Sequence, residues 1–140
     1  MEIENKVIVV TGGSGGIGQA LAASFILEKA KVVIVLDINF DNFISENNNL
    51  ISKVCNVTDD KELDTVIDEI NLEFGLIDIF CSNAGILSLG NEQTSIEDWN
   101  KNWNLHVMSH VFAAKKLIPE MIKRGSGYFV NTSSAAGLLS

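Results

Sequence analysis

The sequence is poor in positive charge, cysteine, histidine, proline and tyrosine, and it has no long apolar run. Ten Lys and Arg stand against eighteen Asp and Glu, giving a net charge of −8 and a pI near 4.6. So acidic a chain is a poor partner for a polyanionic nucleic acid, and its carboxylates read as a solvated surface. The two cysteines, Cys55 and Cys81, form no CxxC pair and sit in apolar, strand-like stretches, so they are expected to be reduced core thiols. The two histidines, His106 and His110, lie four apart with no Glu at the metalloprotease position between them and no third ligand evident, so no metal is expected. After the mixed-charge start Met-Glu-Ile-Glu-Asn-Lys, the apolar run is only Val7 to Val10. That is too short for a signal peptide or a membrane span, so no membrane contact and a cytoplasmic location are expected.

What is present is enough for one globular domain: 140 residues, 46% of them hydrophobic, could bury roughly two-thirds of their unfolded surface without disulfides or metals. Apolar, β-branched stretches at 6–10, 31–37, 51–55, 77–82 and 128–132 alternate with helix-period stretches at 16–29, 59–74 and 96–123. Strands separated by helices predict βαβ units and an α/β fold with a doubly wound parallel sheet. The clearest helix begins near Asp59, where Leu63, Val66, Ile67, Ile70 and Phe74 make one apolar stripe and Asp59 with Glu62 suggests a capping box. A further turn of helix is expected around Phe40–Ser45. In the long last helix, Ser95 and Asp98 form a cap pair, Trp99, Trp103, Val107, Val111 and Leu117 fall along one side, and Pro119, the only proline, should bend the end. The tryptophans read as packing residues. No repeat, linker or second domain is visible, so residues 1–140 read as one domain.

Between the first strand and the first helix stands Thr11-Gly12-Gly13-Ser14-Gly15-Gly16-Ile17-Gly18. Glycines at such a junction allow a tight turn, let the backbone approach a pyrophosphate and leave the helix N-terminus open to donate N–H groups to it. Asp37 ends the next strand, nineteen positions beyond Gly18, where a carboxylate would accept hydrogen bonds from the adenosine ribose hydroxyls. A carboxylate there repels the extra phosphate of NADP, and neither Gly15 nor Ile38 supplies a compensating positive charge. The expected cofactor is therefore NAD.

With these residues in order, the sequence resembles the short-chain dehydrogenase/reductase family, in the form whose glycine motif is Thr-Gly-x-x-x-Gly-x-Gly, here Thr11, Gly12, Gly16 and Gly18. Asn83-Ala84-Gly85, Trp103-Asn104-Leu105, Asn131-Thr132-Ser133-Ser134 and Ala135-Ala136-Gly137 extend the resemblance over the whole chain. It implies a cofactor site formed by Thr11, Gly12, Ser14, Gly16, Ile17, Gly18, Asp37, Asn56, Val57, Asn83, Ala84 and Gly85. Among these, Asn83 and Gly85 line the adenine-ribose side. Asn56 departs from the aspartate common in the family beside the adenine, although its carbonyl oxygen could still meet the adenine amino group. The resemblance further implies that the backbone carbonyl of Asn104 holds a water of the proton relay and that Ser134 bonds the substrate oxygen.

The chemistry so implied is hydride transfer between NAD(H) and a secondary alcohol or ketone, with a tyrosine exchanging the proton and a lysine four residues on favouring its phenolate. The single tyrosine, Tyr128, has Thr132 four residues on and precedes Ser134, so it is not that tyrosine. The sequence reaches Ser140 before the expected Tyr-x-x-x-Lys, so the resemblance implies that residues 1–140 are one dinucleotide-binding Rossmann domain, its sheet truncated after the fifth strand and the domain incomplete at its C-terminus, and the chain alone is expected to be nearly inactive. The alternative is a non-catalytic NAD-binding protein or subunit. A homo-oligomer, joined through the long helix as is common in the family, is expected for a full-length parent.

Overall fold

Runs of Val and Ile make the strands, and the number of faces each run must bury decides its place in the sheet. The computed structural model describes residues 2–41 and 47–135. Its strands are β1 (Val7–Thr11), β2 (Val32–Asp37), β3 (Leu50–Val54), β4 (Ile79–Ser82) and β5 (Tyr128–Asn131). All pair in parallel, in the order β3-β2-β1-β4-β5. The continuous apolar runs of β1 and β4 are buried along their whole length, as strands covered on both faces must be, whereas β3 and β5 include polar residues, are only partly buried and form the edges.

Helices cover both faces. On one, α1 (Gly16–Leu27) places Ala22, Leu21 and Phe25 against Ile8, Val10, Val33, Val35, Ile79 and Cys81. On the other, α2 (Asp60–Phe74) buries Leu63, Val66, Ile67 and Ile70 against Val9, Ile34, Leu36 and Phe80. Each such side chain stabilises the fold by roughly 1.5–3 kcal/mol on full burial. Asp59 caps α2, accepting from the N–H groups of Lys61 and Glu62. The expected box does not close: the Glu62 carboxylate instead accepts from the Asn56 N–H at 3.0 Å, and the Asp59 N–H goes to the Asn56 carbonyl. Both thiols are buried and free.

The last helical stretch runs as α3 (Ile96–Trp103), a π-helical turn (Asn104–Met108) and α4 (Ser109–Arg124), with Ser95 capping through the Asp98 N–H. Its apolar residues do not share one face, contrary to the sequence reading. Ser109, Ala113, Leu117 and Met121 are buried, while Trp99, Trp103 and Val111 are exposed. The wider π turn rotates everything after it relative to α3, so Leu117 faces the sheet and the tryptophans face away, exposed rather than packed. Pro119 lies inside α4, which continues to Arg124 and stops at Gly125 in a left-handed cap (φ 69°). The helical turn expected at Phe40–Ser45 falls largely on 42–46, outside the described residues. No helix among the described residues is long and apolar enough to cross a membrane.

Candidate functional site

The strand order reverses on either side of β1, so the chain leaving β1 and the chain leaving β4 diverge and open a crevice at their C-terminal ends, the usual ligand position in such sheets. Thr11 ties the two ends together. Its hydroxyl is buried, donates to the Cys81 carbonyl at 3.3 Å and accepts from the N–H groups of Asn83 and Ala84, each at 2.9 Å. The Asn83 amide answers by donating to the Thr11 carbonyl at 3.1 Å, while its oxygen accepts from the Thr132 hydroxyl at 2.9 Å. One side chain thereby joins β1, β4 and the end of β5.

The glycine loop then passes so close to this junction that side chains do not fit. A Cβ on Gly18 would sit 2.1 Å from the Gly12 carbonyl oxygen, and one on Gly12 would sit 2.8 Å from the Ala84 Cα. Gly16 differs: its φ of +52° needs a glycine, and beyond its Cα there is only open space. Gly15 is the N-cap of α1 and makes no side-chain cap bond, and no acidic residue occupies the first turn. The leading N–H groups of α1 therefore face the crevice without side-chain acceptors, where they carry the positive end of the helix dipole. A phosphate group fits these donors.

The resulting cleft has a volume of about 560 Å³. Gly12, Ser14, Gly16 and Ile17 form one wall, Asp37, Asn56 and Val57 one end, and Asn83, Ala84 and Gly85 the other wall. Thr11 and Gly18 do not line it; they stand behind and hold its floor. The Asp37 carboxylate accepts from the Ser14 N–H at 3.0 Å and hydroxyl at 2.8 Å through one oxygen, and from the Ile38 N–H at 2.8 Å through the other. It is thus fixed at the cleft's rim, beside the loop that leads into α1.

Asn56 is oriented differently from the sequence expectation. Its Oδ1 accepts from the Thr58 N–H at 3.1 Å and the Thr58 hydroxyl at 2.8 Å, so the oxygen expected to meet an adenine amino group is already engaged. The other two predicted residues lie apart from the cleft. Ser134 is exposed beyond the end of β5, and Asn104 opens the π turn, its carbonyl accepting from the Ser109 N–H.

Sequence reasoning missed several cleft residues. Leu36, Ile86 and Leu105 supply apolar wall, Thr132 reaches in through its bond to Asn83, and Cys55 lies beside Asn56 and Val57. Cys55 is a core residue, 1% exposed, and lines the cleft as well. Burial, followed by the charges of Glu62 and Asp59, pushes its thiol up to about 12, so it contributes a neutral, apolar surface. Ile86 could have been found from its position next to Asn83-Ala84-Gly85; its carbonyl also meets the His106 ring at 3.1 Å, which holds the π turn against this wall.

A family model described as short chain dehydrogenase matches residues 6–140. The chain is 32% identical to the 3-oxoacyl-(acyl-carrier-protein) reductase of Thermotoga maritima, over 99% of this chain and 59% of that protein. It is 31% identical to the meso-2,3-butanediol dehydrogenase of Serratia marcescens, over 99% of this chain and 57% of that protein. A short-chain dehydrogenase structure from Streptomyces avermitilis superposes with a TM-score of 0.89 at 30% identity, covering 100% of this chain and 53% of the other. The chain thus spans a little over half the length of the proteins it matches.

Proposed function

Because the chain belongs to the short-chain dehydrogenase family, whose members are oxidoreductases that bind NAD(P), we propose that it is the NAD-binding part of an enzyme that moves hydride between NAD(H) and a secondary alcohol or ketone. The observation that carries the cofactor choice is Asp37, a carboxylate fixed at the rim of a cleft whose lining, among the described residues, holds no Lys or Arg. An adenosine 2′-hydroxyl can donate to that carboxylate in place of Ser14. A 2′-phosphate would face it without a counter-charge.

When bound, NAD supplies the carbon that accepts or gives hydride. The residues of this chain bind and orient. The N–H groups at the start of α1, at Gly16 and Ile17, hold the pyrophosphate, with Gly18 packed behind them; Asp37 takes the adenosine ribose; Asn56 and Val57 flank the base; Asn83, Ala84 and Gly85 form the facing wall. Ser134 orients the substrate oxygen, and the Asn104 carbonyl, at the break in helix geometry, holds a water for proton relay. The proton-exchanging tyrosine and lysine are not among residues 1–140, since Tyr128 is followed four residues on by Thr132. On this reading the 140-residue chain binds the dinucleotide without turning over, and a small alcohol or ketone is the substrate of the longer enzyme. The name of the butanediol dehydrogenase relative agrees with that substrate class.

Ile96, Trp99, Trp103, Val111, Ile118 and Ile122 form exposed apolar surface along the long helix. Surface of this kind favours a second copy as partner, so the enzyme is read as a homo-oligomer.

The test is titration of the chain with NADH and NADPH, followed by energy transfer from Trp99 and Trp103, with turnover of secondary alcohols measured alongside. NADH should bind at least about tenfold more tightly than NADPH, which corresponds to about 1.4 kcal/mol, and no turnover should appear. Tighter NADPH binding would overturn the cofactor choice, and measurable turnover would overturn the reading of 1–140 as a binding part.

A further inference from the structure

We propose that a second pocket, between the loop after β4 and the helix α3, binds a small amino alcohol and takes its ammonium group on the wall formed by Asp98, Trp99 and Asn102. The inference stands apart from the dinucleotide reading, because no described residue lines both pockets.

The pocket has a volume of about 620 Å³, and its shape is set by hydrogen bonds within and between its walls. In the loop, the Asn91 N–H donates to the Thr94 hydroxyl at 3.0 Å and the Thr94 N–H to the Asn91 carbonyl at 3.0 Å. The Gln93 N–H donates to Asn91 Oδ1 at 2.9 Å. Gly90 packs so closely on this turn that a Cβ there would sit 2.1 Å from Thr94 Oγ1. Asn102 joins the two walls, its amide NH2 donating to the Ser88 hydroxyl at 3.1 Å and to the Asp98 backbone carbonyl at 2.8 Å. On α3, Asp98 and Trp99 stand four and three positions before Asn102, so the three side chains are neighbours on one side of the helix.

The helix wall is left with acceptors. The Asp98 carbonyl can only accept, so the amide nitrogen of Asn102 is committed to it and Asn102 Oδ1 stays an acceptor. Asp98 uses one carboxylate oxygen to accept from the Ser95 hydroxyl at 2.8 Å, and the other has no partner among the described residues. Trp99 is 62% exposed, and the face of its ring carries the negative side of the aromatic quadrupole. Among the described residues no Lys or Arg lines the pocket to neutralise this wall. An ammonium group matches it: its N–H groups need acceptors, and its charge is drawn to a carboxylate and to an aromatic face.

The loop wall is left with donors. The Ser88 and Thr94 oxygens already accept, so each hydroxyl keeps its hydrogen to give, and the Asn91 amide, its oxygen engaged, keeps its NH2. These suit the oxygen of an alcohol. A neutral polyol would use the loop wall but leave the carboxylate and the ring without a positive partner. The net charge of −8 favours a cation and disfavours a phosphorylated or carboxylated ligand.

The test follows the fluorescence of Trp99 in a Trp103→Phe chain, in which Trp99 is the only tryptophan, below micromolar concentration so that self-association does not cover it. Three compounds are titrated at neutral pH: aminobutanol, with its ammonium and hydroxyl at opposite ends; pentanol, in which a methyl group replaces the ammonium; and xylitol, a neutral polyol of similar size. Aminobutanol should bind at least about threefold more tightly than either neutral compound, the combined scale of an exposed ion pair and an exposed cation–π contact. Asp98→Asn keeps an acceptor for Ser95 and removes the charge, and it should cut that preference about two- to fivefold. Glu28→Gln removes the same charge at the end of α1 and should leave the preference unchanged, with circular dichroism recorded on every chain. No saturable response to aminobutanol, equal binding of the three compounds, or tighter binding of xylitol would overturn the proposal. So would a preference that Asp98→Asn and Glu28→Gln lower alike, because the net charge and not the pocket would then attract the cation.

Discussion

Replacing Thr11 by Val keeps the shape of the side chain and removes its oxygen. Thr11 is 3% exposed, and its hydroxyl is the acceptor for both the Asn83 and Ala84 N–H groups. Each N–H left without a partner in the interior costs about 1–3 kcal/mol, and the Cys81 carbonyl loses a weaker bond besides. Asn83 and Ala84 are half-buried, so water reaches them in part. The total for Thr11→Val should thus lie near 2–4 kcal/mol, or a drop of roughly 6–12 °C in Tm for a domain of this size. Thr11→Ser is the control, since it keeps the oxygen and deletes a methyl group worth about 0.8 kcal/mol or somewhat more in a packed site. Urea unfolding followed by circular dichroism would give both values. A Thr11→Val chain within about 1 kcal/mol of wild type, or a Thr11→Ser chain less stable than Thr11→Val, would refute the argument, because packing rather than hydrogen bonding would then hold the junction. The same junction carries Ala84 and Gly85 into the cleft wall, so Thr11→Val should also weaken NADH binding, whereas Thr11→Ser should spare it.

Three further outcomes are expected. Burial pushes Cys55 up to about 12 and Cys81 up to about 11, from 9.0, so at pH 8 both thiols of the native chain should resist a disulfide reagent that modifies both after unfolding; rapid modification of the native protein would contradict their burial. Because the folded values lie above the unfolded one, the stability these thiols contribute is full below about pH 9 and is lost as pH rises through 11–12, which urea midpoints on a pH series would show as a decline beginning near pH 9. On the surface of the long helix, Val111→Glu together with Ile118→Glu should shift the chain toward monomer in sedimentation velocity at micromolar concentration, with no loss of helix signal; a wild-type chain that is already monomeric under those conditions would remove the case for self-association through this face.

Much of the fold was legible because its signals are local. The unbroken Val and Ile runs of β1 and β2 announce strands buried on both faces, and the spacing of Leu63, Val66, Ile67 and Ile70 announces the face that α2 buries. The glycine loop and Asp37 were legible as a site because the strand, turn and helix around them fix the meaning of each position. What escaped depends on contacts between distant segments. Glu62 turned from the expected cap to the Asn56 N–H because that donor, at the end of β3, came within reach. The exposure of Trp99 and Trp103 follows from a π turn that no residue pattern marks, and it overturned the single stripe drawn from Trp99 to Leu117. Cys55 was read from burial alone, which hid its place in the cleft. The direction of the Asn56 amide was beyond sequence reasoning because it is decided by which neighbouring group can only donate.

The electrostatics of the cleft make a pyrophosphate site depend on the backbone. The protein carries a net charge of −8, and among the described residues the cleft lining contains no Lys or Arg and its one charged side chain is the Asp37 carboxylate. A dinucleotide therefore approaches against the long-range field, and attraction must arise within a few ångströms. The donors available at that range are the N–H groups at the uncapped start of α1, and the absence of an acid from its first turn keeps their partial charge unspent. Gly16 is needed for its φ of +52°, and the open space beyond its Cα lets the phosphates reach these donors. A side chain on Gly18 would displace the Gly12 carbonyl and with it the turn that aims α1 at the cleft. The loop's glycines thus do two different jobs, conformation and access at Gly16 and close packing at Gly18, and in a chain this acidic both are required before any anion can be held.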